Sequence, residues 1–151
     1  MPHITLLYPF VPEVHFEEAA ARLALESQRS ESFEVVLDGI ESFEHKESAT
    51  VWASCQRDLE LRALQATLER CLPQCDEQSS KSQRGFTPHV TLGSFPKKAR
   101  AEQREVMASW REGWEPLGFW VTQVALISRR GDGPFEVRRV VSLAGDELLS
   151  R

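Results

Sequence analysis

Along the 151-residue chain the spacing of apolar and polar positions changes period several times, and each change marks an element. From His3 to Phe10 the residues are β-branched, aromatic or apolar, with Pro9 and Pro12 closing the run, which predicts a short and largely buried strand. Residues Phe16 to Gln28 are rich in Ala, Leu and Glu at helical spacing and predict a helix. Two β-rich runs, Ser32 to Phe43 and Ala49 to Cys55, flank the polar Glu44–Ser48 stretch and predict a hairpin-like pair. A second helix is expected over residues 57–72, with Asp58 as its N-cap and Pro73 as its stop. Residues 73–85 are polar and without period, the pattern of a mobile connection.

Beyond that connection the order restarts. Residues 88–95 predict a strand, 99–110 a helix, 117–129 a strand, and 134–144 another strand after the Gly131-Asp132-Gly133-Pro134 turn. Strand, helix, strand, strand thus recurs with the offset of 86 that separates His3 from His89, the sign of an internal duplication. Hairpins without Gly-rich nucleotide turns place the chain in the α+β class, as two similar halves about a central cleft within one domain over 1–151.

Composition narrows the setting. Apolar residues at 41% and charged residues at 27% are those of a globular chain with enough material for one core. No apolar run reaches the roughly 20 residues that span a bilayer, and no signal-like leader opens the chain. Cys55, Cys71 and Cys75 lack metal-finger spacing, so reduced thiols, a cytoplasmic location and no metal or other cofactor are expected. The net charge of -5 disfavours a long nucleic-acid groove and leaves room for a small phosphorylated ligand or an RNA end. Basic clusters at Lys81/Arg84, Lys97/Lys98/Arg100, Arg129/Arg130 and Arg138/Arg139 are the places where a phosphate could be met.

The candidate chemistry lies in a near-repeat. Pro-His-x-Thr-Leu occurs at residues 2–6 and again at 88–92, although the chain has four histidines in all. With each residue type at about one in twenty, a chance second copy is expected on the order of once in a thousand such chains. In a strand, residues two apart share a face, so each copy sets an imidazole beside a hydroxyl while Ile4 and Val90 point into a core. A single such pair is more often a half-buried structural histidine; two matched pairs fit acid–base work at phosphorus. One imidazole takes a proton from attacking water, the other protonates the leaving oxygen, and Thr5 and Thr91 hold the non-bridging oxygens. His15 and His45 sit in polar stretches and are expected at the surface, whereas Trp110, Trp114, Phe119 and Trp120 are expected mostly in the core. Tyr8 and Phe10, on or just past the first motif, are expected to line the cleft.

With residues 2–10 ("PHITLLYPF"), 86–93 ("FTPHVTLG") and 124–137 ("VALISRRGDGPFEV"), the chain resembles the 2H phosphoesterase superfamily, in its 2′-5′ RNA ligase or cyclic nucleotide phosphodiesterase group, over nearly its whole length. The resemblance implies a bilobal fold of pseudo-symmetric halves. It also implies hydrolysis of 2′,3′-cyclic phosphates or related RNA linkages, with His89 as base, His3 as acid, and Thr5 and Thr91 as phosphate binders. Ser94 stands where many relatives carry an arginine, and Arg129, Arg130 or Lys97 are the candidate replacements. Relatives usually have a strand before the first motif, so this chain is expected to complete that half differently or to be a truncated domain. The expected partner is an RNA terminus or a small cyclic nucleotide, with no membrane. The alternative is a module that binds AMP-like or CMP-like nucleotides in the same cleft without turnover.

Overall fold

The helix rich in Ala, Leu and Glu forms as α1, Phe16–Ser27, and turns Phe16, Ala19, Leu23 and Ser27 inward on one face. That face packs on α2, Leu59–Cys71, whose inward residues are Leu61, Leu64, Gln65 and Leu68, and on β7, Glu136–Ser142. Asp58 stands at the N-terminus of α2 but does not cap it with its side chain; its carboxylate pairs instead with Arg62 one turn on, at 2.7 Å. The structure is a computed structural model that describes residues 1–145, so the last six residues of the single domain expected over 1–151 lie outside the described residues.

Among the described residues three antiparallel sheets carry the strands. The first pairs β1, Phe33–Leu37, with β5, Leu117–Val121. The second has the order β2 (Gly39–Glu44), β3 (Ser48–Ser54), β4 (Val90–Pro96). The third is the hairpin of β6, Gln123–Ser128, with β7. With the one-turn α3 (Glu77–Ser80) and α4 (Arg100–Gly113), the fold is α+β, as the sequence pattern predicts. The core falls into adjoining clusters. One gathers Phe16, Leu23, Leu64, Leu68, Leu126 and Val141; another Val35, Leu37, Ala53, Leu61, Phe86 and Val90; the third Ile40, Val51 and Met107.

The element order recurs in finer detail than periodicity alone predicts. A 3-10 turn, a helix and three strands follow each motif: Glu13–His15, α1, β1, β2, β3 in the first series and Lys97–Ala99, α4, β5, β6, β7 in the second. Helix starts (100 − 16) and first-strand starts (117 − 33) both differ by 84 residues. Val35 and Phe119, which that same step relates, are direct partners in the β1–β5 ladder.

Several expectations are corrected. The runs 32–43 and 117–129 are each two strands, because the chain changes sheet at Asp38 and at Thr122. Asp38 fixes the first change by accepting the Gln56 N–H at 3.1 Å. Residues 3–10 form isolated bridges at Ile4 and Tyr8 rather than a continuous strand; Pro2 and Pro9 have no N–H to give a ladder. The connection at 73–85 is ordered around α3, with Cys75 and Gln78 buried. Trp120 is 62% and Phe119 40% exposed, since β5 has β1 as its sole described neighbour. Trp110 and Trp114 do pack against the core. No helix among the described residues is long and apolar enough to cross a membrane.

Candidate active site

Ile4 and Val90 face each other in an antiparallel bridge, and both side chains enter the cluster around Val35, Leu37 and Leu61. Alternation then turns the residues on either side of them to the opposite face. The two motifs are therefore neighbours.

Both imidazoles are held in the same way. His3 Nδ1 lies 2.9 Å from the Met1 carbonyl oxygen, and His89 Nδ1 lies 2.8 Å from that of Thr87. A carbonyl can only accept, so each Nδ1 carries the proton and each Nε2 is left for chemistry. The proline between each histidine and its acceptor, Pro2 or Pro88, fixes φ and so helps bring the carbonyl back over the ring. That repeated anchor gives the proline in the motif a function.

The two surroundings differ. His3 is exposed and meets the edge of Phe135 at 5.8 Å, with the Arg129 guanidinium 5.4 Å from the same ring on its other contact. His89 is half-buried against a wall from the β2–β3 hairpin: Phe43 and Trp52 stack at 4.6 Å, and His89 packs edge-on to them at 5.0 and 5.8 Å. Trp52 reaches this face because it is the direct partner of Thr91 on β4. Burial pushes His89 below the ordinary imidazole value by disfavouring its charged form; its bond to the Thr87 carbonyl pulls the other way, and Lys81 and His3 add smaller downward pushes. Near neutral pH this imidazole is uncharged.

The other candidates separate clearly. Arg129 has no carboxylate partner among the described residues. Arg130 is committed to Glu13 at 2.6 Å, in a cluster where Ser128 donates to Glu13 at 2.6 Å and Arg138 reaches both Ser128 and Glu136. Tyr8 is 54% exposed and is tied through its backbone to Asp76 and Glu77. Phe10 packs on Phe16 at 5.4 Å in the α1 cluster, so its ring serves the core rather than a cleft. Ser94 shares a face with Thr91 despite the odd spacing: a bulge in β4 leaves Leu92 without a partner, so that Thr91 opposes Trp52 and Ser94 opposes Thr50. The exposed His45 reaches Thr50 from Nε2 at 3.4 Å. Phe43, Trp52 and Phe135 are the site residues that sequence reasoning missed. Their signal was the alternation of Phe43 and Trp52 on their strands, unreadable until the register with Thr91 is known.

A protein-family profile described as the 2′-5′ RNA ligase superfamily matches residues 1–133. No curated protein matches the chain.

Proposed function

We propose, from the premise that this chain belongs to the 2′-5′ RNA ligase superfamily, that it is a metal-independent phosphodiesterase acting on a 2′,3′-cyclic phosphate or a 2′-5′ linkage at an RNA end or in a small nucleotide. The observation that supports this most is the shared anchor: Nδ1 of His3 and of His89 held by the carbonyl two residues back, on either side of the Ile4–Val90 bridge. Two imidazoles so held keep both Nε2 atoms for one phosphorus.

In hydrolysis of a cyclic phosphate, Nε2 of His89 takes a proton from water as its oxygen forms the new bond to phosphorus. The bond from phosphorus to a ribose oxygen breaks in line, and His3 Nε2–H protonates that oxygen. His89 suits the base role because burial keeps it neutral. His3, which lies open to solvent, takes the acid role. Thr5 and Thr91 donate to the non-bridging oxygens, holding the group in line and stabilising its charge. Arg129, unpaired beside Phe135, binds the phosphate from the His3 side. We place this reaction in the cytoplasm, where free Cys55, Cys71 and Cys75 stay reduced.

The test is turnover of a cyclic-phosphate-ended oligonucleotide in EDTA. Chelator-resistant hydrolysis that His89→Ala abolishes supports the assignment. Tight AMP or CMP binding in calorimetry, with no candidate hydrolysed, replaces it with a nucleotide-binding module.

A further inference from the structure

One turn of α2 holds the backbone of both motif segments. Gln65 is 3% exposed and donates from Nε2 to the carbonyl of Leu6, the last residue of the first Pro-His-x-Thr-Leu copy, at 3.2 Å. Arg62, three residues earlier and so neighbouring on the helix surface, donates from Nη1 to the carbonyl of Phe86, two residues before the second copy begins. Leu61 is buried beside them, in the cluster that contains Val90 and Phe86 and against which Ile4 and Leu6 pack. The helix thus meets the chain where it leaves the first motif and where it enters the second.

Both grips are themselves oriented. Asp58 accepts from Arg62 Nε at 2.7 Å, which fixes the planar fork and leaves Nη1 for the Phe86 carbonyl. Glu69 accepts from Gln65 Nε2 at 2.7 Å and from Ser79 Oγ at 2.8 Å. α3, which carries Ser79, is tied back to the first segment, since the Glu77 N–H donates to the Tyr8 carbonyl at 2.9 Å.

Leu6 and Phe86 both lie outside the strands, so no ladder fixes their peptides and the side chains of α2 take over that task. The consequence is sharpest at His89. Its Nδ1 is anchored by the Thr87 carbonyl at 2.8 Å, one peptide on from the carbonyl that Arg62 holds. Thr87 precedes Pro88 and is restricted to extended backbone, so a pinned Phe86 peptide leaves the Thr87 carbonyl little freedom to turn from the ring.

We propose that Arg62 and Gln65 are positioning residues that set the two histidine motifs against each other, Gln65 at the exit of the first and Arg62 at the entry of the second. The inference rests on the function proposed above and adds to its site two residues that act through the backbone of the motifs.

The experiment compares wild type with Arg62→Met and Gln65→Met, which keep an unbranched side chain but remove the donors. Leu23→Ala, in the core face of α1, is the control for lost stability alone. ¹⁵N NMR above the His89 titration reads the tautomer of that ring, and methyl nuclear Overhauser effects read the Ile4–Val90 contact. Arg62→Met is expected to replace a single Nδ1–H tautomer of His89 by a mixture, and Gln65→Met to weaken the Ile4–Val90 contact; Leu23→Ala is expected to do neither. On a cyclic phosphate, both α2 variants are expected to lower kcat about 10- to 100-fold with KM within about twofold, whereas Leu23→Ala keeps its kcat per folded molecule. Should Arg62→Met fail to fold, Asp58→Asn carries the same test, because it keeps the arginine and releases its fork. An unmoved His89 tautomer with an unmoved Ile4–Val90 contact overturns the assignment, as do equal changes in Leu23→Ala, which make α2 a support for the fold alone. Neither NMR readout needs turnover. If the wild type hydrolyses no cyclic phosphate, these readouts still decide whether α2 sets the motifs, and only the phosphodiesterase function is removed.

Discussion

His3 and His89 are anchored by the same hydrogen bond, from Nδ1 to the carbonyl oxygen two residues earlier, at 2.9 and 2.8 Å. The antiparallel Ile4–Val90 bridge joins the two segments that carry these anchors, with one histidine on either side of it. The proposed function draws on that pairing, because each ring leaves Nε2 unbonded by its anchor while the carbonyl oxygen, which can only accept, sets its tautomer.

Removing either imidazole should cost turnover more than folding. His3→Ala and His89→Ala are each expected to lower kcat about 10²- to 10⁴-fold on a cyclic phosphate. Thr5→Val and Thr91→Val, which each remove one donor to the phosphate oxygens, are expected to cost about 10²-fold. Steady-state kinetics beside circular dichroism of each variant checks this; full activity in His89→Ala overturns the assignment of the base.

The acid limb of the pH–rate profile should fall below the ordinary imidazole range of about 6.5. Burial lowers His89 by disfavouring imidazolium, so His89 stays available as base to more acidic pH than a solvated histidine does. Phe43→Ala opens the wall beside the ring, and water then stabilises imidazolium, so the limb should move up towards 6.5. The same shift has a stability consequence: above about 6.5 the ring is neutral folded and unfolded, and as pH falls below that value the unfolded chain takes up the proton first and stability drops. Thermal unfolding between pH 7 and pH 5, wild type against His89→Ala, reads this slope.

Arg129 and Arg130 are adjacent but should behave differently. Arg129→Ala is expected to raise KM about tenfold with little change in stability, since the side chain lies against the Phe135 ring and has no ion pair among the described residues. Arg130→Ala is expected to leave KM within about twofold and to loosen the Glu13 cluster instead. Equal KM effects in the two variants count against Arg129 as the phosphate contact.

Glu13 is held at about 2 by the hydrogen bond from Arg130 and then that from Ser128. Its folded value is depressed, so its contribution is full above about 4.5, the ordinary carboxyl value, and fades as pH falls from there towards 2. Glu13→Gln should therefore melt lower than wild type at pH 7 and converge with it near pH 2. A gap between the two melting temperatures that is independent of pH contradicts this.

The motifs were legible because their information is local. The offset between the two five-residue copies foretold the repeated order of elements. What escaped depends on partners far along the chain. Residues 73–85 read as loose because nothing within them shows that Leu6, Tyr8, Gln65 and Glu69 will hold α3. Phe43 and Trp52 read as ordinary strand aromatics until the β3–β4 register brings Trp52 opposite Thr91. Phe10 shares the first motif's apolar character, but it lies past the bridge, where the chain has turned towards Phe16. Trp120 looked like core because its strand is apolar throughout; its exposure reflects a sheet of two strands, and sheet width is not written in local pattern.

The claim that both imidazoles serve one phosphate is tested most directly by following the ring nitrogens of His3 and His89 by ¹⁵N NMR during titration with a nucleoside 2′-monophosphate in EDTA. The account predicts that the Nε2 signals of both residues shift together along one saturable, one-to-one binding curve while both Nδ1 atoms remain protonated. Movement of one imidazole without the other, or of neither, contradicts it.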